Sequence, residues 1–147
     1  MKNLKISIKK AKIFSNVSLN TAYTGAKAEA LDGFFERVAT VSDDDTLLSN
    51  LWKDMTGIIL EKLKPYISET TVNTDSLDIT FLLSNSFDDS LALSLEEDIN
   101  TSFVAGVTAR WFWFSSPDKA AEWEAEASRA IDSTLSKLCY RRPPKRT

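Results

Sequence analysis

"TVNTDSLDITFLLSNSFDDS", residues 71–90, holds the change of period that decides the fold. Leu77, Ile79, Phe81 and Leu83 fall on one side of an extended chain, with Asp78, Thr80 and Ser84 on the other. That period of two belongs to a strand with one buried face. The polar residues 73–75 supply a turn before it. Asp88 and Asp89 then open a segment in which Leu91, Leu95, Ile99, Phe103, Val107 and Trp111 recur every four residues. A second track of Ser102, Ala105, Gly106 and Ala109 runs beside them, so a helix is expected over 88–115.

Working outward, Leu4, Ile6 and Ile8 alternate with Lys5, Ser7 and Lys9, a second strand whose lysine face suits a sheet edge. Segments 3–9 and 76–84 are natural partners in a small sheet or β-ribbon. "SDDDTLLSNLWKDMTGIILEKLKPYI", residues 42–67, starts with a cap and carboxylates that offset the unpaired amides of a helix N-terminus. Leu47, Leu48, Leu51, Trp52, Met55, Ile58, Ile59, Leu63 and Tyr66 recur at spacings of three and four, an amphipathic helix of about five turns that ends around Pro65. A third helix is expected over 117–139. Ser116 precedes Pro117, whose missing amide costs nothing at the first helical position, and Asp118 suits the positive helix end. Its buried face should run Ala120, Trp123, Ala127, Ala130, Ile131, Thr134, Leu135 and Leu138, with Glu126 and Arg129 paired on the surface.

The fold class expected is therefore α+β, a single domain over 1–147 that is mainly helical, with about three helices at 43–66, 88–115 and 117–139. Within it, 1–14 reads as an N-terminal strand or arm, 42–139 as a helical body with a central strand segment, and 140–147 as a basic tail. Residues 14–41 give no clean period: a turn near Gly25, a break at Gly33 and an apolar pair at Phe34 and Phe35 suit an ordered arm as well as a helix and a strand.

Composition excludes several kinds of chemistry. The chain has no histidine, the commonest general base and transition-metal ligand. Its one cysteine, Cys139, rules out an internal disulfide and a cysteine zinc site. Asp43, Asp44 and Asp45 read as a helix start, since no calcium-loop spacing follows them. No window approaches the roughly 18 apolar residues of a membrane span, and the opening residues alternate charge with apolar side chains instead of forming a signal-peptide block. No cofactor, metal or membrane association is expected, and the chain reads as made in the cytoplasm.

The net charge of -3 conceals an asymmetry. Lys2, Lys5, Lys9, Lys10 and Lys12 crowd one end and Lys137, Arg141, Arg142, Lys145 and Arg146 the other, while acids dominate residues 29–98. The remaining signal is "RWFWFSSPDKAAEW", residues 110–123, in which four consecutive aromatics fan around most of a helix circumference. Trp111 and Phe114 continue the core stripe. Phe112 and Trp113 are expected to face away from it and to be covered by a neighbouring subunit, where aromatics are enriched. A base-stacking platform would want more basic neighbours than Arg110. The candidate interface set is Lys5, Lys9, Lys10, Phe112, Trp113, Trp123, Arg141 and Arg142. The acidic middle of a neighbouring copy is the candidate partner of the basic ends, and a head-to-tail contact of that kind closes into a ring when its rotation permits.

"LKISIKKAKIF" with "TAYTGAKA", the acid-started helix "DDDTLLSNLWKDMTGIILEKLKPYI" and the closing "FVAGVTARWFWFSSPDKAAEWEAEASRAIDSTLSKLCYRRPPKRT" together resemble small structural proteins from the virion modules of tailed phages and prophages of gut bacteria. The resemblance implies a head-to-tail connector or adaptor ring subunit with terminal arms, not an enzyme, placed at the neck between portal and tail proteins. A tail completion or terminator protein is the nearest alternative. An acidic middle would let DNA pass without sticking. A nucleic-acid-binding module using the basic termini is the rival from another class, and a carboxylate-only enzyme built on Asp43, Asp44 and Asp45 is a third reading.

Overall fold

The structure, a computed structural model, describes residues 1–27, 45–113 and 116–139. Its elements are β1 (Lys2–Lys9), α1 (Lys10–Lys27), α2 (Asp45–Leu63), a 3-10 turn at Lys64–Tyr66, β2 (Ile67–Val72), β3 (Ser76–Leu83), a 3-10 turn at Asp89–Leu91, α3 (Ala92–Phe112) and α4 (Pro117–Cys139). The chain is mainly helical with one three-stranded antiparallel sheet of order β1-β3-β2. The expected pairing of the two alternating segments holds, with Leu4 opposite Phe81, Ile6 opposite Ile79 and Ile8 opposite Leu77. Ile6, Ile8, Leu77, Ile79, Phe81 and Leu83 are all buried, while Lys5 and Lys9 point to solvent from an edge strand.

Three expectations are corrected. Four α-helices are present among the described residues where about three were expected: residues 10–27 form α1, which takes in part of the stretch left open between an arm and a helix with a strand, and Gly25 lies inside that helix instead of in a turn. The stretch is rich in Ser, Asn and Thr, which compete with helix formation by bonding to their own backbone. Among the side chains described in this helix, those of residues 10–21, Ile13, Val17 and Thr21 are sealed in, one per turn. Packing thus overrides weak propensity. The second correction is β2, which follows the helix after Pro65. It is exposed nearly throughout, so no alternation announced it, and a register shift between Ile67 and Glu69 bends it against β3. Third, the helix expected over 88–115 is shorter. Asp88 accepts the Ser90 amide in front of a 3-10 turn, and α3 itself ends at Phe112. Gly33, Phe34, Phe35, Asp43, Asp44, Phe114, Arg141 and Arg142 lie outside the described residues.

The sheet buries one face, and α3 crosses that face as the central helix. It is covered around nearly its whole circumference: Leu95, Ile99, Phe103 and Val107 on one track, and Ser102, Ala105, Gly106 and Ala109 on the other, are all buried. Around it stand β1, α1, α2 and, most extensively, α4. Trp52 of α2 stacks on Phe103 with ring centroids 4.6 Å apart, and Phe14 of α1 meets the same indole edge-on at 6.4 Å. Those two contacts join three helices at one point. Gly106 faces Met55 so closely that a side-chain carbon there would collide with the thioether, which is how α2 comes near α3.

Small residues hold the fourth helix close. Ala120, Ala127 and Ala130 of α4 are buried against α3. At the far end of this antiparallel pair, Asp98 accepts hydrogen bonds from the Ser133 hydroxyl at 2.7 Å and from Lys137, which also reaches Ser94. The Ser116 amide donates to Phe112 O at 2.8 Å across the connection between α3 and α4. Cys139, at the end of α4, lies 2.6 Å from the Tyr66 hydroxyl and ties the helix to the turn after α2.

Phe103→Ala should therefore reduce stability by about 3–5 kcal/mol in urea unfolding, since it empties the point where three helices meet. A loss below about 1 kcal/mol would mean that α1 and α2 do not converge on α3.

Candidate functional site

The aromatic block is divided by the end of α3. Phe112 is 0% exposed and forms a small core with Ala120, flanked by Trp111 and Trp123. The expectation that Phe112 faces a neighbour is overturned: α4 turns back over the last turn of α3 and covers it. Trp113, one residue later and about 100° further round, is 62% exposed. Trp111 is half-buried and bridges this small core to the main one. Trp123 is half-buried, with one side on the small core.

Trp113 stands at the lip of a groove of about 380 Å³ between α2, α3 and α4. Met55 and Ile58 form one wall, Gly106 and Ala109 the floor, and Ala120 and Ile131 the other wall. Arg110 crosses the groove with its Nε 3.4 Å from Met55 Sδ. The track of small residues on α3 was legible in the sequence. Its pairing with Met55 was not, because it depends on how α2 approaches.

On the other flank of α4 lies a cleft of about 520 Å³, bounded by α1 and α3. Lys12, Glu97, Asn100, Glu122, Trp123 and Glu126 stand in its wall. Arg129 donates to both oxygens of Glu126, the pair expected from their spacing, and holds the Glu126 carboxyl below its usual range. Asn100 is buried, and its Oδ1 has no hydrogen-bond partner among the described residues.

The basic N-terminal cluster is divided in the same way. Lys2 is committed to Phe87 O and Asp89, and Lys12 lies 3.8 Å from Glu97. Lys10 is half-buried, with its ammonium 5.4 Å from the Phe14 ring centroid. Lys5 and Lys9 remain exposed on the outer sheet face on either side of Ser7, which is opposite Asp78. The Ser7 hydrogen bond is the main cause holding the Asp78 carboxyl below its usual range, helped by Lys5, Asn73 and Lys9.

Among the described residues no group of three His, Cys, Asp or Glu side chains is placed to hold a metal ion, and no helix is long and apolar enough to cross a membrane. No known protein family, curated protein or solved structure matches the chain.

Two outcomes follow. Phe112→Ala should cost about 3–5 kcal/mol of stability, whereas Trp113→Ala should stay within about 0.5 kcal/mol, both read by denaturant unfolding. Because Asp78 titrates lower in the folded than in the unfolded chain, its contribution is full at neutral pH and is lost as pH falls through the folded value. Ser7→Ala should move its titration upward, measured by NMR of the carboxyl carbon, and an unchanged midpoint would remove the hydroxyl from the account.

Proposed function

We propose that this protein is a structural subunit of a phage virion, a head-to-tail connector or adaptor that works as a ring through contacts between copies and with portal and tail proteins. The observation that carries the reading is Trp113, a tryptophan 62% exposed beside a groove whose walls are mostly small and apolar residues, crossed by Arg110, directly after a phenylalanine that is fully buried. Isolated exposed apolar residues need no explanation, but a tryptophan beside a preformed groove has the make-up of an interface anchor. The resemblance of the sequence to small virion proteins supports the same reading.

Charge supports it as well. Lys5 and Lys9 are exposed on one sheet face, whereas Glu97, Glu122 and Glu126 gather on the helical side. Opposite charges on different faces of one subunit favour head-to-tail contacts, which close into rings. In this reading the ring sits at the neck of the virion, and its acidic surfaces pass DNA without holding it.

The test is light scattering of the purified chain over a hundredfold range of concentration. The unaltered protein should form a species of several subunits, and Trp113→Ser should weaken that association at least tenfold while leaving thermal unfolding in place. A chain that stays monomeric throughout and binds DNA with a steep dependence on salt would replace this reading with the nucleic-acid-binding one.

A further inference from the structure

We propose that the sheets of neighbouring copies join edge to edge, with β2 of one copy lying parallel to β1 of the next. The proposal rests on the ring reading above and deepens it by naming the two strand edges that meet.

Hydrogen bonds within the chain determine which backbone groups the sheet leaves open. Along an antiparallel ladder, bonded and non-bonded pairs alternate. The Asn73 amide donates to Ser76 O at 2.9 Å, so the bonded pairs between β2 and β3 are Thr71 with Asp78 and Glu69 with Thr80. Thr70 and Val72 therefore turn their N–H and C=O groups outward. On the other side of the sheet the Lys10 amide donates to Asp75 O at 2.9 Å, so Ile8, Ile6 and Leu4 bond to β3. Lys5, Ser7 and Lys9 then direct their backbone groups away from it. Among the described residues no further strand pairs with either edge. β2 is also uncovered on both faces: residues 68–72 are exposed, and Val72 is 63% exposed although it stands opposite the buried Leu77. A row of open backbone groups is a template for another strand.

Charge selects which strand. The β1 edge carries Lys5 and Lys9 on its outer face, and neither is in an ion pair among the described residues. Lysines on an edge repel a second β1 and admit a strand that brings a carboxylate. β2 is such a strand: it has neither lysine nor proline, and Glu69 is its one charge, also in no ion pair among the described residues. Lys5 and Glu69 both stand opposite Thr80, so they share one row across the outer face.

Geometry sets the direction. β1 and β2 are each antiparallel to β3, hence parallel to one another. A rotation repeated around a ring preserves strand direction and sheet face, so it lays β2 parallel to the next β1. With the rows aligned, Glu69 falls beside Lys5 of the next copy, at the strand spacing of about 4.8 Å. On the inner face Val72 falls beside Ile8 of the next copy, which gives that exposed side chain an apolar neighbour. Each subunit offers one edge and receives at the other, the head-to-tail geometry that rings require.

The test is light scattering of the full chain and its variants over a hundredfold range of concentration. Glu69→Lys and Lys5→Glu should each weaken association at least tenfold, and both together in one chain should restore it to within about threefold. Thr70→Pro should also weaken it at least tenfold while thermal unfolding stays cooperative, since proline there removes an N–H that bonds nothing in β3. Should Thr70→Pro unfold the chain, the charge pair alone decides. If rings form and none of these variants disturbs them, the edge assignment fails and the ring reading stands. An open filament with the same dependence on Lys5 and Glu69 keeps the assignment and overturns the ring reading. A closed dimer that responds to Thr70→Pro but not to Lys5→Glu means that β2 pairs with a second β2, which overturns both. A chain that is monomeric at every concentration overturns both as well.

Discussion

The structure depends on the need to cover α3 on all sides. A helix with buried residues on both its large and its small track cannot lie on a surface, and it forces other elements to surround it. The inner face of β1 and β3 supplies one side, α1 and α2 meet at the Trp52–Phe103 stack on another, and α4 closes the rest. Polar groups on the inner surfaces are mostly matched within their own helices: Thr56 donates to Trp52 O, Ser102 to Asp98 O and Thr134 to Ala130 O. Asn100 Oδ1 and Thr108 Oγ1 are the buried exceptions among the described residues.

That arrangement creates both surface features of interest. Since α4 must lie along α3, it leaves a furrow on each flank: a mostly apolar groove on the α2 side, ending at Trp113, and an acidic cleft on the α1 side, around Trp123. Small side chains at Gly106, Ala109, Ala120 and Ala127 draw the helices together and set the depth of the groove. The cleft has a different cause. Polar side chains of α1, α3 and α4, Lys12, Asn16, Glu97 and Glu126 among them, meet there beside Leu19, Val104 and Trp123. Both furrows are formed by the packing that stabilises the molecule, and both mix charged with apolar walls: Lys12, Glu97, Glu122 and Glu126 stand in one, Arg110 and Glu124 in the other.

Much of this arrangement was legible in the sequence. The alternation of 77, 79, 81 and 83 with that of 4, 6 and 8 announced two paired strands, and the start of α4 at Pro117 with its alanine face was written in local chemistry. What the sequence concealed was set by tertiary contacts. α1 is held by a few side chains within a polar, β-branched stretch, so periodicity was too faint to distinguish it from an arm. β2 has no inner face to speak of and is recognisable only by its pairing with β3. At the candidate site the presence of a surplus aromatic was readable, but which of Phe112 and Trp113 it would be depended on the direction in which α4 turns back. Lys5 and Lys9 were correctly placed outside the core, while Lys10 is partly absorbed by Phe14.

The most direct test of the account is native-state hydrogen exchange, resolved by residue. If α3 is the element that all others cover, amides of residues 99–109 should be the slowest in the protein and should exchange only through global unfolding, with β3 next and β2 far faster. If α3 exchanged through local opening while β3 or α4 remained protected, the central helix would not be what holds the structure together, and the account would be wrong.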